Sequence, residues 1–340
     1  MVRGIPAAGD HLSSRLEAAP TADFMETLTF RITTLMKMPD FYRHILIIAD
    51  LEGSSGCWNY TASAFLTDEW CRACLEMSRD VNTVVRALFD AGVQTVTIKD
   101  FHRTGYNMFP ELIDSRATLI SGYRRGPIPG IGDPSNARAV MFLGMHAASG
   151  SDGFLAHTLT SRIARLEVNQ RLLAEIELFA ASLAPWNIRP IFFSGCPVAC
   201  EQATAAVENI QCFAIDKARG YESFDSGSWR SALAQAAVKS LSNHKTKPYE
   251  PVGPFDARVT MRDGEAVAAK LARRWDFEQR GAQIRIRCAG FDQLYMELIR
   301  LCYLTPVIEK VLPPALAAFH LKGQIGIMRA RRRLKRRLQR

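Results

Sequence analysis

The sequence predicts an α/β protein: a mostly parallel sheet with helices on both faces, plus a smaller C-terminal α+β portion. Three observations carry that reading. Buried-type apolar runs of strand length recur along the first two thirds of the chain. They alternate with amphipathic stretches of helical period. The alternation breaks after about Gly220. Strand–helix alternation of this kind builds βαβ units, whose crossover helices cover both faces of a parallel sheet.

The elements follow in order. Residues 1–40 carry no clear periodic pattern and read as an N-terminal extension. Met36 and Met38 stand just before the first strong strand, so either could be the true start, and removal of residues 1–35 should then be tolerated. HILIIAD (44–50) is the first strand. Residues 68–91 form an amphipathic helix that Gly92 stops. VQTVTIKD (93–100) is the second strand, and residues 111–122 give a short helix and a third extended piece. ARAVMFLGMH (137–146) is another strand. An extended stretch at 162–169 precedes a helix at 172–184. RPIFFSGCP (189–197) is a strand, and CEQATAAVENI (200–210) begins a helix. Beyond these, 228–243 reads as a helix, KPYEPVGPFDARVTM (247–261) as a proline-containing lead into a strand, IRIRC (284–288) as a strand and 291–305 as a helix. The expected division is 1–40 extension, 41–220 α/β core, 221–322 smaller α+β portion and 323–340 basic tail.

Charge and composition narrow the class. At 340 residues, 48% hydrophobic and 23% charged, the chain is ordinary for a globular protein. No run approaches the roughly 18–20 apolar residues of a membrane span, and the first residues lack the apolar core of a secretory signal; a cytoplasmic location is expected. The net charge is +9, but the last twelve residues, RARRRLKRRLQR, hold eight Lys or Arg and no acid. Removing those eight from +9 leaves +1, so the basic character belongs to a tail and says little for a nucleic-acid-binding body. The eight cysteines are expected to be reduced thiols. Cys71 and Cys74 form a C-x-x-C inside a helix, without a second pair to complete a zinc-ribbon spacing; a redox role is the rival reading there.

Ligands of open α/β sheets bind beyond the carboxyl ends of the strands. Three strands here end on potential metal donors: Asp50-Leu51-Glu52, Asp100-Phe101-His102 and Gly144-Met145-His146. Side chains two apart in extended chain face the same way, so Asp50 and Glu52 can share one crevice, as can Asp100 and His102. Carboxylates with imidazoles suit zinc or manganese. Each carboxylate alone could equally cap the following helix. His157, eleven residues past His146 in GSDGFLAHT, could act as a general acid or base or simply pack its loop.

In that order, the segments IIADLEGSSG, TIKDFHRTGYN, FLGMHAASGSDGFLAHT and VNQRLLAEIEL resemble the DppA-type D-aminopeptidase family of zinc metallopeptidases. The resemblance spans about residues 45–220. It implies Asp50, Glu52, His102, His146 and Glu175 as ligands of two zinc ions per chain, and His157 as the catalytic histidine. It implies release of an N-terminal residue, often a D-amino acid, from a short peptide. The family's Asn-Gly turn is Asn169-Gln170 here, its Gly before the ligand Glu is Ala174, and Arg103 stands where Gly is common, which places substrate preference in question.

The rival readings are a dimetal hydrolase of a non-peptide amide or lactam, and a protein whose Arg tail contacts nucleic acid or anionic lipid. The resemblance also implies a ring-like homo-oligomer with enclosed sites. Leu294, Met296, Leu298, Leu301, Tyr303 and Leu304 recur at helical spacing and serve either as part of a subunit interface or as cover for the C-terminal sheet. The basic tails are expected outside and disordered, since like charges repel.

Overall fold

The computed structural model describes residues 42–338 apart from Ser135 and Arg219. The N-terminal extension expected over residues 1–40 lies outside the described residues. The first sheet has six parallel strands: β1 (His44–Ala49), β2 (Thr95–Asp100), β3 (Thr118–Ile120), β4 (Ala139–Met145), β7 (Arg189–Gly195) and β8 (Gln211–Ala214). Their spatial order is β3-β2-β1-β4-β7-β8, and every neighbouring pair is parallel. Burial on both faces explains why β1 reads as an unbroken apolar run. Ile45, Ile47 and Ala49 enter one core, while Leu46 and Ile48 enter the other, as the two-residue period of a strand requires.

Two helices make the first core with the sheet. Helix α2 (Asp68–Asp90) follows a single turn, α1 (Tyr60–Ser63). The Thr67 side chain accepts from Trp70 N and so caps α2, and Asp68 and Glu69 in its first turn suit the positive end of the helix dipole. At the other end Gly92 sits at φ 96°, while Val93 N donates to Leu88 O and Gly92 N to Phe89 O. That is the C-terminal pattern a left-handed glycine permits. Trp70, Met77, Val81, Val84 and Leu88 then share one buried stripe. Helix α5 (Ser226–Ser240) lies beside α2 and buries Leu233, Ala234 and Ala237. On the opposite face sit α3 (Glu175–Leu183), buried throughout, and α4 (Pro197–Ala206). Helix α3 starts at Glu175, three residues later than the sequence pattern suggests, because residues 171–172 are taken by a strand.

The second sheet straddles the boundary expected at residue 220. It has five strands in the order β10-β11-β9-β5-β6. Strands β9 (Phe255–Met261), β10 (Glu278–Arg280) and β11 (Gln283–Cys288) come after that boundary. Strands β5 (Ile163–Val168) and β6 (Arg171–Leu172) come before it. Strand β5 pairs antiparallel with both β6 and β9, so the sheet draws on both sides of residue 220. Asn169 and Gln170 form the two-residue β5–β6 turn, both with positive φ (50° and 69°). This is the conformation for which Asn-Gly is preferred. Asn169 holds its place by bonding Pro254 O and Asp256 N.

Helices α6 (Glu265–Trp275) and α7 (Phe291–Tyr303) pack on this sheet. Leu294, Tyr295, Leu298 and Leu301 of α7 are buried by the chain itself. The helix therefore covers the C-terminal sheet, and Tyr303, 47% exposed, turns toward the loop before β5, where its hydroxyl donates to Leu159 O.

A second correction concerns the basic tail. After the short α8 (Pro306–Lys310), residues Leu312–Leu338 form one long helix, α9. It lies against α2 with Ile327 and Ala330 buried. Arg331 pairs with Glu111 at 2.6 Å and Arg333 with Asp68 at 3.3 Å. Gly323 and Gly326 let the helix approach: a Cβ on Gly323 would stand 2.3 Å from the Tyr106 ring, and one on Gly326 2.4 Å from Phe65. Mutual repulsion of the arginines is offset by acids on the body and by the apolar stripe beneath them. Among the described residues no helix is long and apolar enough to cross a membrane, and the eight cysteines are free thiols.

Candidate metal centre

Strand order reverses between β1 and β4: the chain leaves β1 for β2 on one side and later returns to β4 on the other. Such switch points open a crevice beyond the strand ends. Here the two exits are stitched together. Asp50 N donates to Leu143 O and Gly53 N to Gly144 O. Gly144 has φ 73°, and a Cβ there would stand 2.3 Å from Asp50 O, so only glycine lets the two loops cross this closely.

The crossing brings together all six residues singled out in the sequence. Asp50, Glu52, His102, His146 and Glu175 are each no more than 6% exposed. His102 Nε2 is 3.2 Å from Glu52 Oε1. His146 Nε2 is 3.3 Å from Asp50 Oδ2 and 3.5 Å from Glu175 Oε2. His157 stacks on His146 with centroids 3.8 Å apart.

Each donor is held by its own anchor. Asp50 Oδ1 accepts from Leu51 N, leaving Oδ2 toward His146. Glu175 Oε1 accepts from Leu159 N, leaving Oε2 toward the same ring. His146 Nδ1 faces Ala147 O at 3.1 Å, and His157 Nδ1 faces Leu155 O at 2.8 Å. A carbonyl only accepts, so both Nδ1 atoms carry a proton and Nε2 is the atom each ring has left for the site. Burial lowers the His157 pKa, and the charge of His146 adds to that.

Asp100, paired with His102 in the sequence reading, does something different. It is fully buried and accepts from the backbone N–H groups of Asn107 and Met108 and from Asn107 Nδ2. Asn107 Nδ2 also donates to His102 O, so its Oδ1 faces His102 Nδ1 at 3.1 Å and takes that proton, with Trp70 Nε1 donating to it as well. Asp100 thus sets Asn107, and Asn107 sets the His102 ring. Asn107 was present in the TIKDFHRTGYN segment, but nothing in its spacing marked it.

Behind the loop, Asp80 accepts from Ser55 N and Ser55 Oγ, and Arg230 bridges Asp80 and Glu76. This network ties the turn after Glu52 to α2 and α5. Loop strain concentrates on the other side. Leu155 and Leu159 flank His157 at φ 48° and 63°, a region bulky residues enter only when their surroundings force them.

The electrostatics call for a cation. Burial and the charge of Glu52 push Asp50 up to about 7. Burial opposes the charge of Glu52, yet His102 above all, with His157 and His146, holds it well below the usual range. His102 is pulled down by burial but carried up to about 9 by Glu52 and Asp50. Glu52 Oε2, His102 Nε2 and His146 Nε2 are buried with no hydrogen-bond partner. Three carboxylates and two imidazole nitrogens without hydrogen-bond partners, converging in this way, suit zinc. Two donors bound to one tetrahedral zinc at about 2.0–2.2 Å stand roughly 3.3–3.6 Å apart, close to the observed 3.2, 3.3 and 3.5 Å separations. The residues present fit a metal.

A cavity of about 850 Å³ opens over these donors. Gln170 and Ala174 are not among its lining residues, but Arg103 is. Residues 44–301 match the D-aminopeptidase family, peptidase family M55. A D-aminopeptidase of Bacillus subtilis (strain 168) is 24% identical over 198 residues, covering 58% of this chain; the alignment spans 66% of that relative's own length. The structure of the Zn-dependent D-aminopeptidase DppA from Bacillus subtilis, described as a self-compartmentalizing protease, superposes with a TM-score of 0.68 at 20% identity, covering 76% of this chain and 96% of that one. That likeness is one of fold, and the family match takes in every strand of both sheets: the chain belongs to the D-aminopeptidase family.

Proposed function

We propose that the protein is a dinuclear zinc aminopeptidase that releases an N-terminal residue, including a D-residue, from short peptides. The observation that carries this reading is the set of buried, unpartnered donor atoms at the sheet's switch point, together with the family match. His102 and Glu52 form one half of the ligand set. His146, Asp50 and Glu175 form the other, and Asp50 and Glu52 lie close enough to His146 to join the halves. When bound, zinc supplies Lewis-acid polarisation of the scissile carbonyl and an acidified water. The chain's own residues do the rest. His157, with Nδ1 fixed on Leu155 O, takes up a proton at Nε2 and delivers it to the leaving amine. The strained 155–159 loop holds that ring against His146.

The test is a screen of D- and L-aminoacyl amides and dipeptides against zinc-reconstituted protein. Hydrolysis of N-terminal residues from short peptides is the expected result. Activity confined to lactams or to amides lacking a free amine would replace this reading with the non-peptide one.

A homo-oligomer belongs to the same proposal. The structural neighbour is titled a self-compartmentalizing protease. In this chain Val307, Val311, Leu321, Ile325 and Met328 remain exposed along the two C-terminal helices and the turn between them, an apolar surface of the kind oligomers cover. Light scattering at micromolar concentration is expected to give a multiple of 37.9 kDa; a monomer mass with full activity would remove assembly from the proposal.

A further inference from the structure

The cavity has a floor and a mouth of opposite character. Its acids are Asp50, Glu52 and Glu175, all at the floor and all in the candidate ligand set. Its strong cations are Arg103, Arg262 and Lys322, all exposed at the mouth. None of the three has an ion-pair partner among the described residues. A mouth with three cations and no acid attracts an anionic group on whatever enters.

Two of these cations are held in place by the fold. Arg103 adopts φ 48° and donates from Nε to Ser63 O. A glycine would take that backbone conformation freely, so the strain persists where the side chain is wanted. Lys322 comes from α9, beyond the residues 44–301 that match the family. Helix α9 is fastened over the mouth by His320 Nε2 at 3.0 Å from Tyr123 O, by Phe319 stacked on Tyr123, and by Gly323 against Tyr106. The Lys322 ammonium lies 5.5 Å from the Phe65 ring centroid, and that ring also lines the cavity.

We infer that Lys322 and Arg103 form a subsite for a carboxylate, so that the preferred substrates are short peptides carrying a carboxylate beyond the scissile bond. This rests on the aminopeptidase reading. The floor takes the N-terminal residue and its carbonyl, and the rest of a di- or tripeptide extends toward the mouth. A cavity of about 850 Å³ lies within the roughly 300–1,000 Å³ of pockets that enclose small ligands. A long chain would bring its terminal carboxylate nowhere near the mouth.

The experiment compares kcat/KM for a dipeptide with a free C-terminus, the same dipeptide as its C-terminal amide, and an amide-capped dipeptide with glutamate in second place. The wild-type protein is expected to favour the free carboxylate over the cap. Lys322→Ala should lower that ratio about tenfold through KM, the factor expected of one charge-assisted hydrogen bond. Arg103→Gly should lower the ratio likewise without lowering Tm, whereas a merely structural Arg103 would lower Tm and leave the ratio alone. Rescue by the glutamate peptide assigns the subsite to a side-chain carboxylate, and preference for the free terminus assigns it to the chain end. Equal use of free and capped dipeptides by the wild type overturns the proposal. If no peptide is hydrolysed, the aminopeptidase reading fails separately. Calorimetry then still reads the subsite: about tenfold weaker binding of the free dipeptide to Lys322→Ala supports it, and unchanged binding overturns it.

Discussion

Alanine in place of His157 is expected to lower turnover on an N-terminal aminoacyl substrate about 10²–10⁴-fold, the usual worth of one positioned acid–base group, while bound metal stays near the wild-type level. The geometry sets both halves of this expectation. Nδ1 is committed to Leu155 O, so Nε2 is the working atom. The ring lies parallel to His146 at 3.8 Å, which puts it beside the ligand set. Burial keeps it from holding a proton permanently, as a group that must both accept and release one requires. Yet His157, His146 and Glu175 donors lie within 4.8 Å of one another, so a ligand role is the serious rival. Steady-state kinetics and elemental analysis on one preparation separate the two. Lost turnover with metal retained supports the acid–base role. Metal loss makes His157 a ligand, and near-normal turnover removes it from the mechanism altogether.

Stripping the metal, or replacing His146 with alanine, is expected to abolish activity and to lower thermal stability together. His146 touches Asp50 and Glu175 at once, so its loss leaves two buried carboxylates facing each other without a common partner. A ligand at a thousand times its Kd adds about 4 kcal/mol to the folded state. With an unfolding entropy of about 2.1 cal/mol/K per residue, a chain of 340 residues shifts by roughly 1.4 °C per kcal/mol, so chelation should lower Tm by about 6 °C. Zinc should restore the wild type but not His146→Ala. Metal content unchanged in both Glu52→Ala and His146→Ala would refute the ligand assignment.

The parallel sheet and the metal-site candidates were legible because they are written locally. A buried parallel strand is an apolar run, and its C-terminal end points at the site, so Asp50, Glu52, His102 and His146 announced themselves by position. Asp100 shared the spacing of a donor but not its role. That role depends on Asn107, which a turn folds back onto it, and side-chain alternation says nothing of turns. Strand β5 was legible as extended chain but not as a member of the second sheet, because its partner β9 lies some ninety residues on and pairing carries no local signature, and the two-residue β6 was hidden in the apolar run taken for the helix that follows. The basic tail was the largest misreading. Its arginines look solvated by composition, yet Arg331 and Arg333 meet Glu111 and Asp68 across 220 and 265 residues, and Gly323 and Gly326 gain meaning only against Tyr106 and Phe65.

The position of α9 has a consequence for how such a molecule can change over generations. The donors at the floor all come from residues 50–175, inside the family pattern, while Phe319 and Lys322 of the cavity wall come from a stretch outside it. One half of the proposed carboxylate subsite, Lys322, thus comes from a different length of sequence than the candidate donors, although Arg103 lies among them. Substitutions along residues 319–322 are expected to change what the cavity admits without touching a candidate donor, whereas changes among the candidate donors are expected to cost metal and turnover whatever the wall looks like. A lineage built this way is free to explore new foods at little risk, and its members should resemble one another most where they react and least where they choose.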